Sequence, residues 1–403
     1  MMVFTGPAAA RAPSCRSPVQ PQPQVTALPW TQRWLQPARA WSVSRGRGVT
    51  VAVVDSGVDA AHPQLRGGPV LDGWDMVTGG PGGAVDCDSH GTGVASLIAA
   101  APVDGVGFAG LAPAARILPV RVDERDNEAR AGLDPVSPAG FAAGLRWAVD
   151  HGARVANVSI VFYTDHRVVA DAVAYARERG VLVVAAAGNG HDESGEGADA
   201  IPFPAAYPGV VGVGAIGADG ARLSSSYVGP HLDIVAPGAD VTVANPGSGH
   251  RKASGTSFAA PLVSAAAALL FAAEPELDAE QVAHRLVATA DPAGGTPEYG
   301  HGVVNPYRAL IERHTLAAPS AAPAPRWAGP DPAAVARTER WARAADRATV
   351  MALAAVAPAL LALLLAAVWR RGRRRGWTPT RHAARPEPST VDDPAHRFYA
   401  PPV

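Results

Sequence analysis

From residue 48 to about residue 313 the chain alternates short β-branched runs with apolar helical stretches, and that alternation constrains the fold more than any other feature. Residues 49–54, 154–160 and 181–187 have the texture of strands buried on both faces. Between them, residues 91–101, 138–151, 168–180 and 257–273 read as helices. Strands covered on both faces and separated by helices require a mostly parallel sheet between two helical layers. The class is α/β, and about 265 residues suit one domain of it.

Composition bears on what such a domain binds. The chain carries 35 Lys and Arg against 36 Asp and Glu, a formal charge of −1. That balance supplies no basic face to compete for phosphates, so nucleic acid is not expected as a partner. Only Cys15 and Cys87 are cysteines, which excludes a disulfide-dense miniprotein and a multi-cysteine zinc module. The pair is compatible with one bridge or with two unrelated thiols, and composition does not choose between them. His62, His151, His231, His250 and His301 show no partner pattern of a metal site, and no acidic cluster is specific enough for calcium. No metal or other cofactor is expected.

The flanks differ from the middle. Residues 1–40 are rich in Pro, Gln, Ala and Arg without periodicity and read as an extended arm before a domain of residues 41–313. Residues 314–348 form an Ala- and Pro-rich linker and juxtamembrane segment. Residues 349–369 carry no charge, and at about 1.5 Å per residue they span about 31 Å, one bilayer core. Trp369 stands where an interfacial anchor would, followed by Arg370, Arg371, Arg373, Arg374 and Arg375. Such a basic stop predicts a single-pass membrane helix with residues 370–403 as a cytoplasmic tail and the large domain outside. An outside domain requires export, yet residues 1–40 contain no apolar run for a signal peptide. The expectation is a true start codon, with its leader, upstream.

Three segments carry chemistry. Residues 51–59, VAVVDSGVD, are an apolar strand ending in Asp55 and a turn glycine. Open α/β sheets place functional groups at such strand ends, although aspartate is also an ordinary turn residue there. Residues 90–96, HGTGVAS, put His90 at the head of an apolar helix, as a general base or as a simple cap. The glycines beside it allow close approach to another backbone. Residues 254–263, SGTSFAAPLV, put Ser257 at a helix start, where free N–H groups and the helix dipole stabilise an oxyanion. A second donor is usual in such a hole, and Asn189, at the end of AAAGN, is the candidate. Asn-Gly is equally a common turn dipeptide. Asp86 and Asp88 flank Cys87 and read as loop residues near His90.

Asp, then His, then Ser is one of the three familiar chain orders of the catalytic triad. VVDSGVD, HGTGVASLIA, AAAGN and SGTSFAAPLVS resemble the four signatures of subtilisin-like serine proteases, as do His62-Pro63 and residues 300–306, GHGVVNP. The resemblance implies a subtilisin-like sheet fold with Ser257 as nucleophile, His90 as base, Asp55 orienting it, and Asn189 with the Ser257 N–H as oxyanion donors. A protease domain, an Ala/Pro linker, one C-terminal span and a short basic tail further resemble the mycosins, membrane-anchored proteases associated with type VII secretion in actinobacteria. In that family an N-terminal extension is tethered by a disulfide near the catalytic histidine, which implies a Cys15–Cys87 bridge here. Protein or peptide substrates follow from the resemblance, and type VII secretion membrane components are possible partners. Against the protease reading stands a second one, a structural subunit of such a complex with proteolysis secondary.

One departure stands out. Subtilases usually carry a Ser-Leu-Gly-Gly-like segment whose backbone pairs with the substrate, and residues 157–162 here are NVSIVF. Side chains in place of glycines narrow the cleft, so selective cleavage is expected rather than broad proteolysis. Residues 123–138 form a charged loop placed to border it.

Overall fold

The computed structural model describes residues 15, 19–123, 136–191, 200–294, 297–313 and 365–374, in two compact units, Met1–Ala318 and Pro319–Val403. The first unit opens with helices α1 (Trp30–Leu35) and α2 (Pro37–Trp41), then strands β1 (Thr50–Asp55), β2 (Trp74–Asp75) and β3 (Gly80–Pro81). Next come α3 (His90–Ala99), β4 (Arg116–Arg121), α4 (Pro138–Asp150), β5 (Val155–Val158), α5 (Arg167–Glu178) and β6 (Leu182–Ala186). β7 (Val210–Ile216), β8 (Ile234–Pro237), β9 (Val241–Ala244) and β10 (His250–Ala253) precede α6 (Thr256–Ala273), α7 (Ala279–Ala288) and α8 (Pro306–Ile311).

Among the described residues one sheet has the order β3-β2-β4-β1-β5-β6-β7-β8. Its neighbours are parallel except β2 with β3 at the edge, and β9 and β10 form a separate antiparallel pair. The apolar clusters explain the sandwich. Val51 and Val53 of β1 join Leu97 and Ile98 of α3 and Leu269 and Leu270 of α6. Ala52 and Val54 join Phe141 and Leu145 of α4 and Val169 and Val173 of α5. Alternate residues of one strand thus feed opposite layers, as the two-residue period of a strand dictates. The α/β class and the mostly parallel sheet expected from the sequence are what the chain forms.

α6 is long and apolar enough by composition to cross a membrane, yet 83% of it is buried within the protein. It is the central helix of the core, apolar all round because it is packed all round. Of the expected membrane helix, residues 349–364 lie outside the described residues. Residues 365–374 are helical, with Leu365, Val368 and Trp369 exposed and the Arg373 guanidinium 5.0 Å from the Trp369 ring. Residues 124–135 of the charged loop, the linker from residue 314 and the tail from residue 375 also lie outside them.

The N-terminal segment departs from an extended arm over its last part. Residues 30–41 form α1 and α2, which bury Leu35 and Ala40 against the core, with Pro37 opening α2. Helices of one to two turns are too short to show periodicity in a Pro- and Gln-rich background. Upstream, Gln22 N–H donates to Ser248 O, His250 N–H to Pro23 O, and Gly107 N–H to Val25 O. Besides Leu35, Ala40 and the partly buried Val25 and Trp30, the segment is held by backbone hydrogen bonds to distant residues, which composition does not reveal.

Candidate active site

The carboxyl ends of β1, β5 and β6 share one sheet edge, and the chain order reverses around β1, between β4 and β5. Open α/β sheets bind ligands at that crevice. Asp55 ends β1, Ser159 follows β5, and Gly188 and Asn189 lie just beyond β6.

His90 Nδ1 lies 2.7 Å from Asp55 Oδ1, which also accepts the Ser56 N–H at 2.8 Å. The aspartate side chain is 3% exposed and the imidazole 24%. The approach depends on Gly91: a Cβ there would stand 2.0 Å from the Gly57 carbonyl oxygen, so only glycine lets α3 begin so close to β1. Burial opposes the imidazolium, but the charge and hydrogen bond of Asp55, aided by Asp88 and Asp86, outweigh it and raise the His90 pKa. A histidine held this way presents Nε2 as a proton acceptor and is stabilised once charged.

The serine side is built differently. Gly255, at φ +139°, precedes α6, and a Cβ there would press on Asn189 Nδ2 at 3.1 Å. Asn189 Oδ1 accepts the Thr256 N–H at 2.9 Å and its hydroxyl at 3.1 Å, which orients the amide with Nδ2 as the donor end. Thr256 Oγ1 in turn accepts the Gly188 N–H at 3.1 Å. Ser257 Oγ–H donates to Ser159 O at 3.3 Å, and Ser159 Oγ–H donates to Ser257 O at 3.0 Å. The second bond has a cause in the sequence. Pro261, four residues on, has no N–H to offer the Ser257 carbonyl, and the Ser159 hydroxyl takes its place. A buried polar ladder continues from Ser159 through Asn157 to Ser264 of α6. The two sides meet at Phe258, next to Ser257, whose ring lies 5.0 Å from that of His90.

Cys15 and Cys87 form a disulfide, as the family resemblance implies, fastening the N-terminal segment three residues before His90. Tyr163, half exposed, packs on the turn around Asn189: a Cβ at Gly188 or Gly190 would stand 2.9 or 3.1 Å from its hydroxyl. Among the described residues no group of three His, Cys, Asp or Glu is placed to hold a metal ion.

Several residues that shape this edge are not visible in the motifs alone. Asp86 lies in the loop before His90, as expected, but its side chain is buried and accepts from Ser56 and Thr92. Thr256 and Ser159 work through neighbours that lie far away in sequence. Only their adjacency to Ser257 and to the end of β5 signals them.

The parallel α/β fold and the acid–imidazole pair at its edge are of the kind found in serine proteases. Residues 46–303 match the subtilase family (Peptidase S8), and the chain belongs to that family. It is 39% identical over 280 residues to Subtilisin BL of Lederbergia lenta, covering 69% of this chain and 97% of that protein. Among solved structures, MycP1 from Mycobacterium smegmatis is similar over 74% of this chain and 88% of its own, at TM-score 0.63 and 31% identity. The MycP3 protease of the type VII (ESX-3) secretion system is similar over 77% of this chain and 100% of its own, at TM-score 0.60 and 31% identity. The chain is a subtilisin-like serine protease structurally close to the mycosins.

Proposed function

We propose that the protein is a membrane-anchored endopeptidase of mycosin type that cleaves exported proteins in connection with type VII secretion. The observation that carries the chemistry is the 2.7 Å contact of His90 Nδ1 with buried Asp55, beside a serine at the head of α6. Ser257 Oγ attacks the scissile carbonyl while His90 takes its proton and later returns it to the leaving amine. Asp55 keeps the imidazole oriented and stabilises its charged form. Asn189 Nδ2 and the Ser257 N–H receive the oxyanion. Val161 and Tyr163, beside the Asn189 turn, favour selective cleavage. Residues 349–369 anchor the chain, the arginines from Arg370 onward stay in the cytoplasm, and the protease domain faces outward.

Labelling of the full-length protein with a fluorophosphonate serine-hydrolase probe tests the chemistry. Wild type reacts, and Ser257→Ala and His90→Ala do not; an unlabelled folded wild type removes the triad assignment. A second reading, a structural subunit of the secretion complex, is favoured by the description of MycP1 as an essential component of the type VII (ESX-1) system. Rescue of a deletion strain decides between them. If Ser257→Ala restores secretion as fully as wild type does, the structural role carries the phenotype.

A further inference from the structure

Asp86 is a buried carboxylate, 4% exposed, that the proposed mechanism does not use. Its Oδ1 accepts the Ser56 hydroxyl at 2.9 Å and the N–H groups of Asp88 and Ser89 at 3.0 Å each. Its Oδ2 accepts the Thr92 N–H at 2.8 Å and the Thr92 hydroxyl at 2.5 Å. Five donors fill both oxygens, a set that an ionised carboxylate satisfies and a neutral amide does not.

The donors are placed on both sides of the acid–imidazole pair. Ser56 follows Asp55, and its hydroxyl also accepts the N–H of Gly91, which follows His90, at 3.0 Å. Ser89 precedes His90 and holds φ at +80°, a conformation that a non-glycine residue keeps only when its surroundings enforce it. Thr92, in the first turn of α3, ties the far side and accepts the Asp59 N–H at 2.9 Å. One carboxylate therefore joins the end of β1 to the start of α3. We propose that Asp86 is a positioning residue for hydrolysis, clamping the neighbours of Asp55 and His90 so that the imidazole stays in register with its carboxylate. The proposal rests on the triad assignment above.

A residue that served stability alone would leave the labelling rate of the folded protein unchanged, so that rate separates the two roles, and the pH profile reports the charge. Asp55, Asp59, Asp88 and Asp86 surround this corner with negative charge. Arg251, whose Nη2 donates to the Ser89 carbonyl at 3.0 Å, is the cation facing it. Burial pushes the Asp86 pKa up to about 6 against the pull of its Thr92, Ser56 and Ser89 hydrogen bonds, so it is ionised in neutral solution. Its charge is one of those that raise the His90 pKa.

The test measures the rate of fluorophosphonate labelling across the pH range in full-length wild type, Asp86→Asn and Ser56→Ala. Asp86→Asn is expected to lower the rate about 10- to 100-fold through a misplaced base. It also moves the acid limb to lower pH, because a lost negative charge destabilises the imidazolium. Ser56→Ala removes the link but keeps the carboxylate: the rate falls at neutral pH. It also decides the matter if Asp86→Asn does not fold. A folded Asp86→Asn with the wild-type rate and limb overturns the proposal, and so does an unchanged rate in Ser56→Ala. Wild type that labels while both variants match it sinks this proposal alone. Wild type that does not label sinks the triad assignment and this proposal with it.

Discussion

The two sides of the site are held by different physics. Asp55 and His90 are positioned by side-chain hydrogen bonds that converge on a buried carboxylate, so their geometry depends on charge. Ser257 rides on α6, a core helix whose residues from Ala259 to Leu270 are all buried, and is fixed by packing and uncharged hydroxyl and amide contacts. The first side can be loosened by protons, and the second by lost volume. A protease of this build concentrates its pH response in one wall and keeps its proposed nucleophile on a frame that does not titrate.

Removing the groups proposed to react gives the largest effect and should not distinguish the walls. Ser257→Ala and His90→Ala are each expected to lower peptide hydrolysis about a millionfold, with unchanged folding by circular dichroism. A much smaller loss for His90→Ala would mean that another group serves as base. Volume comes next. Leu269 of α6 is fully buried, so Leu269→Ala should destabilise the protein by about 2–5 kcal/mol, equally at every pH, while the folded fraction keeps its labelling rate. A denaturant midpoint whose loss varies with pH would break the division between the walls. Asn189→Ala, which deletes the proposed oxyanion donor together with the acceptor of Thr256, is expected to lower turnover about 10²–10³-fold. Its melting temperature should fall by a few degrees as well, since the buried Thr256 N–H and hydroxyl lose their acceptor.

The same division explains what was legible in the sequence. β1, β5 and β6 and the helices α3, α4, α5 and α6 are readable because apolar side chains run or repeat there as in buried strands and long helices. The neighbourhood of Ser257 is readable too, since a serine, small residues and a proline cluster at one helix start. What escaped is held by contacts that leave no pattern in one dimension. Asp86 reaches Ser56 across thirty residues, and Ser159 replaces a backbone donor that Pro261 removed in another element. α1 and α2 escaped because they are short, and the contacts of residues 20–25 because their partners, residues 107 and 245–250, are distant in the chain.

The smallest effect concerns that segment and extends the charge-sensitive wall to it. His250 Nδ1 accepts the Val25 N–H at 3.1 Å, and its Nε2 lies 2.7 Å from Gln64 Oε1, so the ring is neutral with its proton on Nε2. His62 beside it accepts the Gln64 N–H through Nδ1 and donates to Gly249 O through Nε2. A second proton on either ring would set N–H against N–H. Burial, together with the neighbouring His62, lowers the His250 pKa from 6.5 to about 4, and burial lowers that of His62. The unfolded chain therefore takes up these protons first. The stability they contribute is complete above pH 6.5 and is lost progressively as pH falls toward about 4. The expected result is a melting temperature that drops by a few degrees across that window, with faster hydrogen exchange at Val25. His250→Asn keeps an acceptor near the Val25 N–H but does not titrate, so it should flatten the slope. A slope that persists in that variant would place the sensitivity elsewhere, with His62, whose pKa burial also lowers, as the next group to replace.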